Sequence, residues 1–396
     1  DDEIIEEHQH AEACYKTIYQ CRQGEPKKVL CESGVMNEEE LRESLRKASR
    51  EDGEEITIPI GEDFSITETV EINGGKNITI DLQGHTLTYN GANTADSMFK
   101  INAATLTLKD SANTQQSAKK ISEKIVSSAG TASYDSITGR LTYYVTECTV
   151  NLDGKSTTDI VKEYVYDLGA SNTVGTLKSN GLNALILIEG GHNGKLIVEG
   201  GRIINEGGKH GIYVKKEAHG IVVMNGGYLM KNGNDEYGGA IYMESGTLTI
   251  HGGVIAENTG KAGGGVYAQG ADSVAVRVDI TGGIIAANHS ANAGGGVYGS
   301  NATINIGESA KIIANTATSE GGGVVSYGSK SVLSITSGCV AGNTAKDGGG
   351  IYLLNTSNRN LIGSSATLVN NHVENCGGGI YIKNAKINFD GVKIVS

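Results

Sequence analysis

Apolar and polar residues alternate along most of this chain with a period of two. At 247–250, Thr247 and Thr249 fall on one side and Leu248 and Ile250 on the other, the pattern of a strand with one buried face. The alternation is present at 56–58, 66–72, 77–90, 105–108 and 195–198, and continues in short pieces to the end. Within the repeats each strand holds three to five residues and is bounded by Gly, Asn or Ser, which accept tight turns. No helical stripe interrupts them within the repeats. The predicted elements are therefore many short strands.

The strands recur as a unit. The phrase GGAIY at 238–242 returns as GGGVY at 263–267 and 294–298, GGGVV at 321–325, and GGGIY at 348–352 and 377–381, with a weaker copy, Gly211-Ile212-Tyr213. Five or six residues ahead of each copy stands an asparagine: Asn205, Asn232, Asn258, Asn288, Asn315, Asn343 and Asn371. Their spacing runs from 26 to 30 residues, a period of about 28. Three short strands per period predict an all-β fold, a right-handed parallel β-helix. Its coils bury their apolar residues by stacking at roughly 4.8 Å per coil.

Stacking assigns roles to the repeated residues. The asparagines read as a buried structural ladder, each adopting the left-handed corner conformation and bonding the backbone and the next coil's amide. The alternative is a polar binding row. Ile212, Ile241, Val266, Val297, Val324, Ile351 and Ile380 are expected to point inward. Tyrosines 213, 242, 267, 298, 352 and 381 then form an outward column broken at Val325, which either packs coil on coil or binds a ligand.

The organisation is an N-terminal helical region at 1–53 and a β-helix over 54–396, with an insertion at 111–181. Residues 1–22 carry a helical stripe of Ile4, Ile5, His8, Ala11, Tyr15, Ile18 and Tyr19. A second helix starts at the N-cap Asn37 with the capping-box Glu40, presents Leu41, Leu45 and Ala48 on one face, and stops at Gly53. It is the expected lid on the first coil. The insertion cannot fit one turn. Its runs at 141–150 and 160–166, joined by a loop with Asp153-Gly154, predict an antiparallel hairpin projecting from the rod. Tyr143, Tyr144, Tyr164 and Tyr166 are the ligand-binding candidates there, since insertions on rigid scaffolds often carry recognition; packing back onto the coils is the other outcome.

The pairing of GGAIY with an aliphatic-x-x-Asn (255–258, 285–288, 312–315) resembles the GG[ALVI] and Phe-x-x-Asn repeats of chlamydial polymorphic outer-membrane proteins, with Ile, Val or Leu in place of Phe. It is similar too to β-helical surface adhesins of Gram-positive gut bacteria. The phrase IDLQGHTL at 80–87 resembles the opening coil of pectin-lyase-like proteins. The likeness covers 54–110 and 182–396, implies a pectin-lyase-like solenoid at a bacterial cell surface, and carries over no catalytic residue.

Composition narrows the functions. The chain has 396 residues, 57 Gly, 2 Pro, no Trp and a formal charge of −12, a balance that argues against nucleic acid or an anionic membrane as partner. No apolar run reaches the length of a membrane span. The absence of a leader and the strand pattern running to Ser396 suggest a segment of a longer, monomeric chain. Cys14, Cys21 and Cys31 could form one disulfide of undecided pairing. Cys339 and Cys376, at non-equivalent coil positions, are expected as buried free thiols. His8, His10 and Cys14 do not share one helix face, so no metal site is expected.

A β-helix enzyme needs carboxylates converging on adjacent coils. Glu199 finds only Asn225, His251 and Thr281 at its equivalent positions, and Asp272, Arg277 and Asp279 read as a solvated edge. No cofactor motif is present, and no cofactor is expected. The expectation is a secreted or cell-surface, non-catalytic adhesin domain that binds a glycan or protein of a host or neighbouring cell. The alternatives are a carbohydrate-active lyase or hydrolase and a structural stalk.

Overall fold

The computed structural model describes residues 34–48, 55–113, 115–150, 157–169, 174–190, 193–271, 274–356 and 359–395, with two short strands at Lys16–Ile18 and Lys27–Val29. It is a parallel β-solenoid of about 11 turns, 56% strand and 3% helix. Successive coils stay in register: Ile241 pairs with Val266, Leu248 with Val278 and Ile255 with Ile285. Ile212, Ile241, Val266, Val297, Val324 and Ile351 are fully buried in one core column that runs along the rod. The later coils depart from three strands. A fourth, Thr259–Ala262, pairs with His289–Ala293 and opens a five-stranded sheet of its own.

The glycine phrase makes that sheet possible. Gly263 holds φ of +64°, and a Cβ on Gly264 would stand 2.3 Å from the His289 carbonyl oxygen of the next coil. Only glycine allows the coils to close so tightly there.

All seven asparagines of the repeat are buried. Each of the five from Asn232 to Asn343 donates its Nδ2 to the Oδ1 of the next, over 2.8–3.0 Å. Their backbone N–H groups donate to the same oxygens, as Asn258 does to Asn288 at 3.1 Å. The other Nδ2 hydrogen reaches back to the coil behind: Asn288 to the Ile255 carbonyl and Asn315 to the Ile285 carbonyl, both at 2.9 Å. The aliphatic-x-x-Asn spacing thus has a mechanism. The aliphatic side chain fills the core while its carbonyl accepts the amide of the following coil.

The left-handed residue is not the asparagine. It is the one before it: Lys231, Glu257, Ala287, Ala314, Gly342 and Asn370 have φ between +52° and +62°. The corner turns one residue early, which leaves the asparagine free to aim its amide along the rod.

The helix Glu38–Ala48 closes one end. Asn37 Oδ1 accepts the Glu40 N–H at 2.9 Å, and Glu40 Oε2 accepts the Met36 N–H at 2.9 Å, a reciprocal cap. Leu41, Leu45 and Ala48 are buried in the main core. Arg42 ties the helix to the carbonyls of Glu68 and Thr69. The helix expected over 1–22 gives way at Lys16–Ile18, which is a strand antiparallel to Lys27–Val29. The reason is an open sheet: Lys28 pairs with Ile56 of the first coil, so strand pairing there satisfies backbone groups that a helix would leave exposed. His8, His10, Cys14, Cys21, Cys31 and Gly53 lie outside the described residues.

Candidate functional site

The insertion folds as a four-stranded antiparallel sheet of Lys119–Val126, Thr157–Asp167, Arg140–Val150 and Ser133–Asp135, in that order. Tyr143 stands opposite Tyr164 and Leu141 opposite Tyr166; the Asp153-Gly154 loop lies outside the described residues. The sheet does not project. Its apolar face, with Leu141, Tyr143 and Val145, lies on a flank of the rod built by Tyr228, Met230, Val254, Ile284 and Ile313. Two apolar faces in reach of one another leave water together, and each large side chain so buried contributes about 1.5–3 kcal/mol.

Polar contacts fix the docking. Tyr134 Oη donates to Glu257 Oε1 at 2.8 Å, and Asn370 Nδ2 donates to the Tyr144 carbonyl at 2.8 Å. Arg202 Nη2 donates to the Gly169 carbonyl at 2.7 Å, and Tyr228 Oη to that of Gln115 at 2.5 Å. Lys311 Nζ stands 5.8 Å from the centre of the Tyr166 ring. Arg202 and Lys311 are both held below their ordinary pKa by burial in this seam.

The four candidate tyrosines do not form one exposed surface. Tyr143 is 3% exposed and stacks on Tyr164 and Tyr166 at 5.2 and 6.0 Å. Tyr144 points to the other side, donates to Glu163 Oε2 at 3.1 Å and has Gly130 against its ring. Exposed apolar groups of the insertion lie elsewhere, at Ile121, Ile125 and Ile137.

On the ten-stranded sheet, tyrosines 213, 242, 267 and 298 follow one another on four coils with centroids 5.0, 5.4 and 5.1 Å apart. Tyr352 and Tyr381 continue the column beyond Val325 at 4.9 Å. Interplanar angles of 9°, 15° and 3° show that most ring faces are spent on neighbouring rings. What they offer outward is edges and hydroxyls. His210 sits beside Tyr213 and Tyr242 at 5.2 Å from each, with Nδ1 bonded to the Gly238 carbonyl, and burial lowers its pKa to about 4.

Beside the column runs a groove of about 400 Å³, lined by Asn102, Glu189, Gly190, Tyr213, Lys215, Lys216, Glu217 and Glu244. Glu189, Lys215 and Glu244 directly follow Ile188, Val214 and Met243, which are in register on three successive coils. Lys100 and Lys215 both pair with the Glu189 carboxylate, Lys100 at 3.2 Å. Burial pushes that carboxyl up, but the bonds from Lys215 and Lys100 outweigh it and hold the group below its ordinary value. Glu244 accepts the hydroxyls of Tyr213 at 2.5 Å and Tyr242 at 3.1 Å. Tyr242 also reaches Gln269 Oε1 at 3.0 Å.

Sequence reasoning passed over these residues, although a signal existed: they stand two positions after each tyrosine, or after Leu187 in the coil without one. The Glu199 column is as expected in composition. Asn225 Nδ2 donates to Glu199 Oε1 at 2.8 Å, and His251 meets Thr281 at 2.8 Å. Arg277 pairs with Asp279 at 2.6 Å, while Asp272 lies outside the described residues. Glu320 is raised above its ordinary pKa by burial and by Asp347 on the next coil. Cys339 and Cys376 are free; burial pushes the Cys339 thiol up to about 12. Cys376 is exposed, contrary to expectation, because its strand is the last of the five-stranded sheet and no coil covers it. Among the described residues no cluster of His, Cys, Asp or Glu could hold a metal ion, and no helix is long and apolar enough to cross a membrane. No protein-family model and no curated protein matches the chain.

Proposed function

We propose that this chain is a non-catalytic binding rod, an adhesin domain exposed at a bacterial cell surface, that meets a glycan or protein of a host or neighbouring cell through the tyrosine face and the groove beside it. The supporting observation is the pairing of a four-coil aromatic column, Tyr213 to Tyr298, with a polar groove on one face of a regular solenoid. The ring edges of these tyrosines supply contact area at low cost in side-chain freedom, their faces being spent on one another. The insertion supports the neighbouring flank instead of reaching for a ligand.

The three carboxylates of the groove favour a second reading, a carbohydrate-active enzyme. Acid–base cleavage needs a carboxylic acid held protonated near neutral pH. Glu189 is shifted the opposite way by its two lysines. Binding without turnover fits that arrangement better.

The test is cell binding and a glycan and matrix-protein array probed with the full chain, with product analysis on every polysaccharide that scores. Binding that leaves the polysaccharide intact supports the adhesin. Released oligosaccharides establish the enzyme, and no binding to any cell or array leaves the stalk.

A further inference from the structure

The groove alternates hydrogen-bonding character coil by coil. Asn102 can donate and accept, Glu189 accepts, Lys215 donates, and Glu244 accepts. Its strongest charges are already matched, since Glu189 lies between Lys100 and Lys215. With the carboxylates of Glu189, Glu217 and Glu244 against Lys215 and Lys216, the lining has no surplus positive charge to hold a uronate or phosphate. A neutral group with hydroxyls needs none, because each hydroxyl both gives and takes a hydrogen bond.

The direction of the groove adds a length. Its functional groups repeat along the rod at the coil rise of roughly 4.8 Å, similar to the advance per sugar of an extended pyranose chain. Successive sugars can therefore meet successive coils in the same way. Glu244 is preorganised for this: two tyrosine hydroxyls fix its carboxylate, and a carboxylate has about four lone-pair sites, which leaves acceptors free. Stacking contributes little. The tyrosine rings face each other, so a sugar meets only the rim of Tyr213.

From these features we infer that the groove binds a neutral, polyhydroxylated glycan laid along the rod axis, held by hydrogen bonds to the Asn102, Glu189, Lys215 and Glu244 column. This rests on the reading of the chain as a binding rod and names its ligand class. Recognition is by hydroxyl pattern, and salt affects it weakly because no ion pair forms.

The test is calorimetric titration of the full chain with neutral hexose oligomers of several linkages and with an oligouronate, at low and high salt. A neutral oligomer is expected to bind with little salt dependence, and the uronate to bind more weakly or not at all. Glu244→Gln and Lys215→Met should each weaken binding about tenfold, the loss of one charged hydrogen bond. Glu374→Gln, exposed on another sheet, should change it less than twofold, with melting curves showing that all variants fold. Tighter binding of the uronate, neutral binding untouched by both groove variants, or no oligomer binding overturns the inference. Cell binding by the wild type separates the two failures: if cells are bound while no oligomer is, the adhesin reading stands and only the ligand class falls.

Discussion

The coils and the insertion are both β-sheet packed on apolar side chains, yet they are held together differently. In the coils the same residue type does the same work about every 28 residues: an asparagine bridges, an aliphatic fills and a glycine lets the next coil close. The insertion is fastened by unlike contacts that occur once each, Tyr134 to Glu257, Asn370 to Tyr144, Arg202 to Gly169. Stability in the first is shared between nearest neighbours, so a fault in one coil reaches the coils on both sides. In the second it is the property of one docked face.

The sharpest way to break the comparison is Asn288→Ala. That change strands the Ile255 carbonyl and the N–H and Nδ2 groups of Asn258, all buried. Each buried group left unpartnered costs about 1–3 kcal/mol, so for the three a loss of about 3–9 kcal/mol is expected. Urea and thermal unfolding should show it, and a melting temperature equal to wild type would remove the ladder from the account. Tyr143→Ala should cost about 3 kcal/mol as a core truncation, but only in the insertion. Limited proteolysis should then cut within 111–181 while far-ultraviolet dichroism of the rod is retained.

Alkali tests both regions together. Burial, then Tyr327 and Glu320, pushes Tyr298 of the column up to about 12, and burial pushes Tyr228 of the docking seam up to about 12 against the opposing effect of Arg202. A tyrosine raised in the folded state stays protonated there while the unfolded chain ionises near pH 10. Its stabilisation is complete below about pH 10 and is lost as pH climbs toward 12, at no more than about 1.4 kcal/mol per pH unit for each group. Tyr298→Phe and Tyr228→Phe should each flatten that decline. Early cleavage in the insertion during the alkaline titration would show that the seam yields before the column.

How much of this was legible follows from the same contrast. Strand positions, the inward aliphatics and the asparagine spacing could be read because seven copies repeat one solution. The docking of the insertion could not, because Tyr134 and Glu257 are separated by 123 residues and share no period. The groove was readable in principle. Glu189 and Glu244 are two coils apart with Lys215 between, so a search for acids on adjacent coils found none. The corner conformation misled for a chemical reason: asparagine tolerates the left-handed region, but here its side chain is needed for the ladder and the preceding residue, even Ala287 or Ala314, takes the strain.

Gly342 separates the two regions by a single methyl group. It occupies the corner held by Ala287 and Ala314 in the two preceding coils, at φ of +62° against +52° and +54°. Alanine is evidently tolerated by that backbone, so the backbone alone does not demand glycine. The insertion does: a Cβ on Gly342 would stand 2.3 Å from the Cβ of Ala132, whereas the glycine lets that loop touch the rod. Gly342→Ala is therefore expected to cost about 1–3 kcal/mol, as overpacking does, and to loosen the insertion as measured by proteolysis. Ala314→Gly removes left-handed strain worth roughly 1–2 kcal/mol and adds back about 0.5–1 kcal/mol of chain entropy, a net gain of about 0.5 kcal/mol. In Gly342→Ala combined with Ala132→Gly the contact is relieved, and the melting temperature should return to within the effect of Ala314→Gly. If the double variant stays as unstable as Gly342→Ala, the cost lies in the corner itself, and the insertion has no part in choosing glycine there.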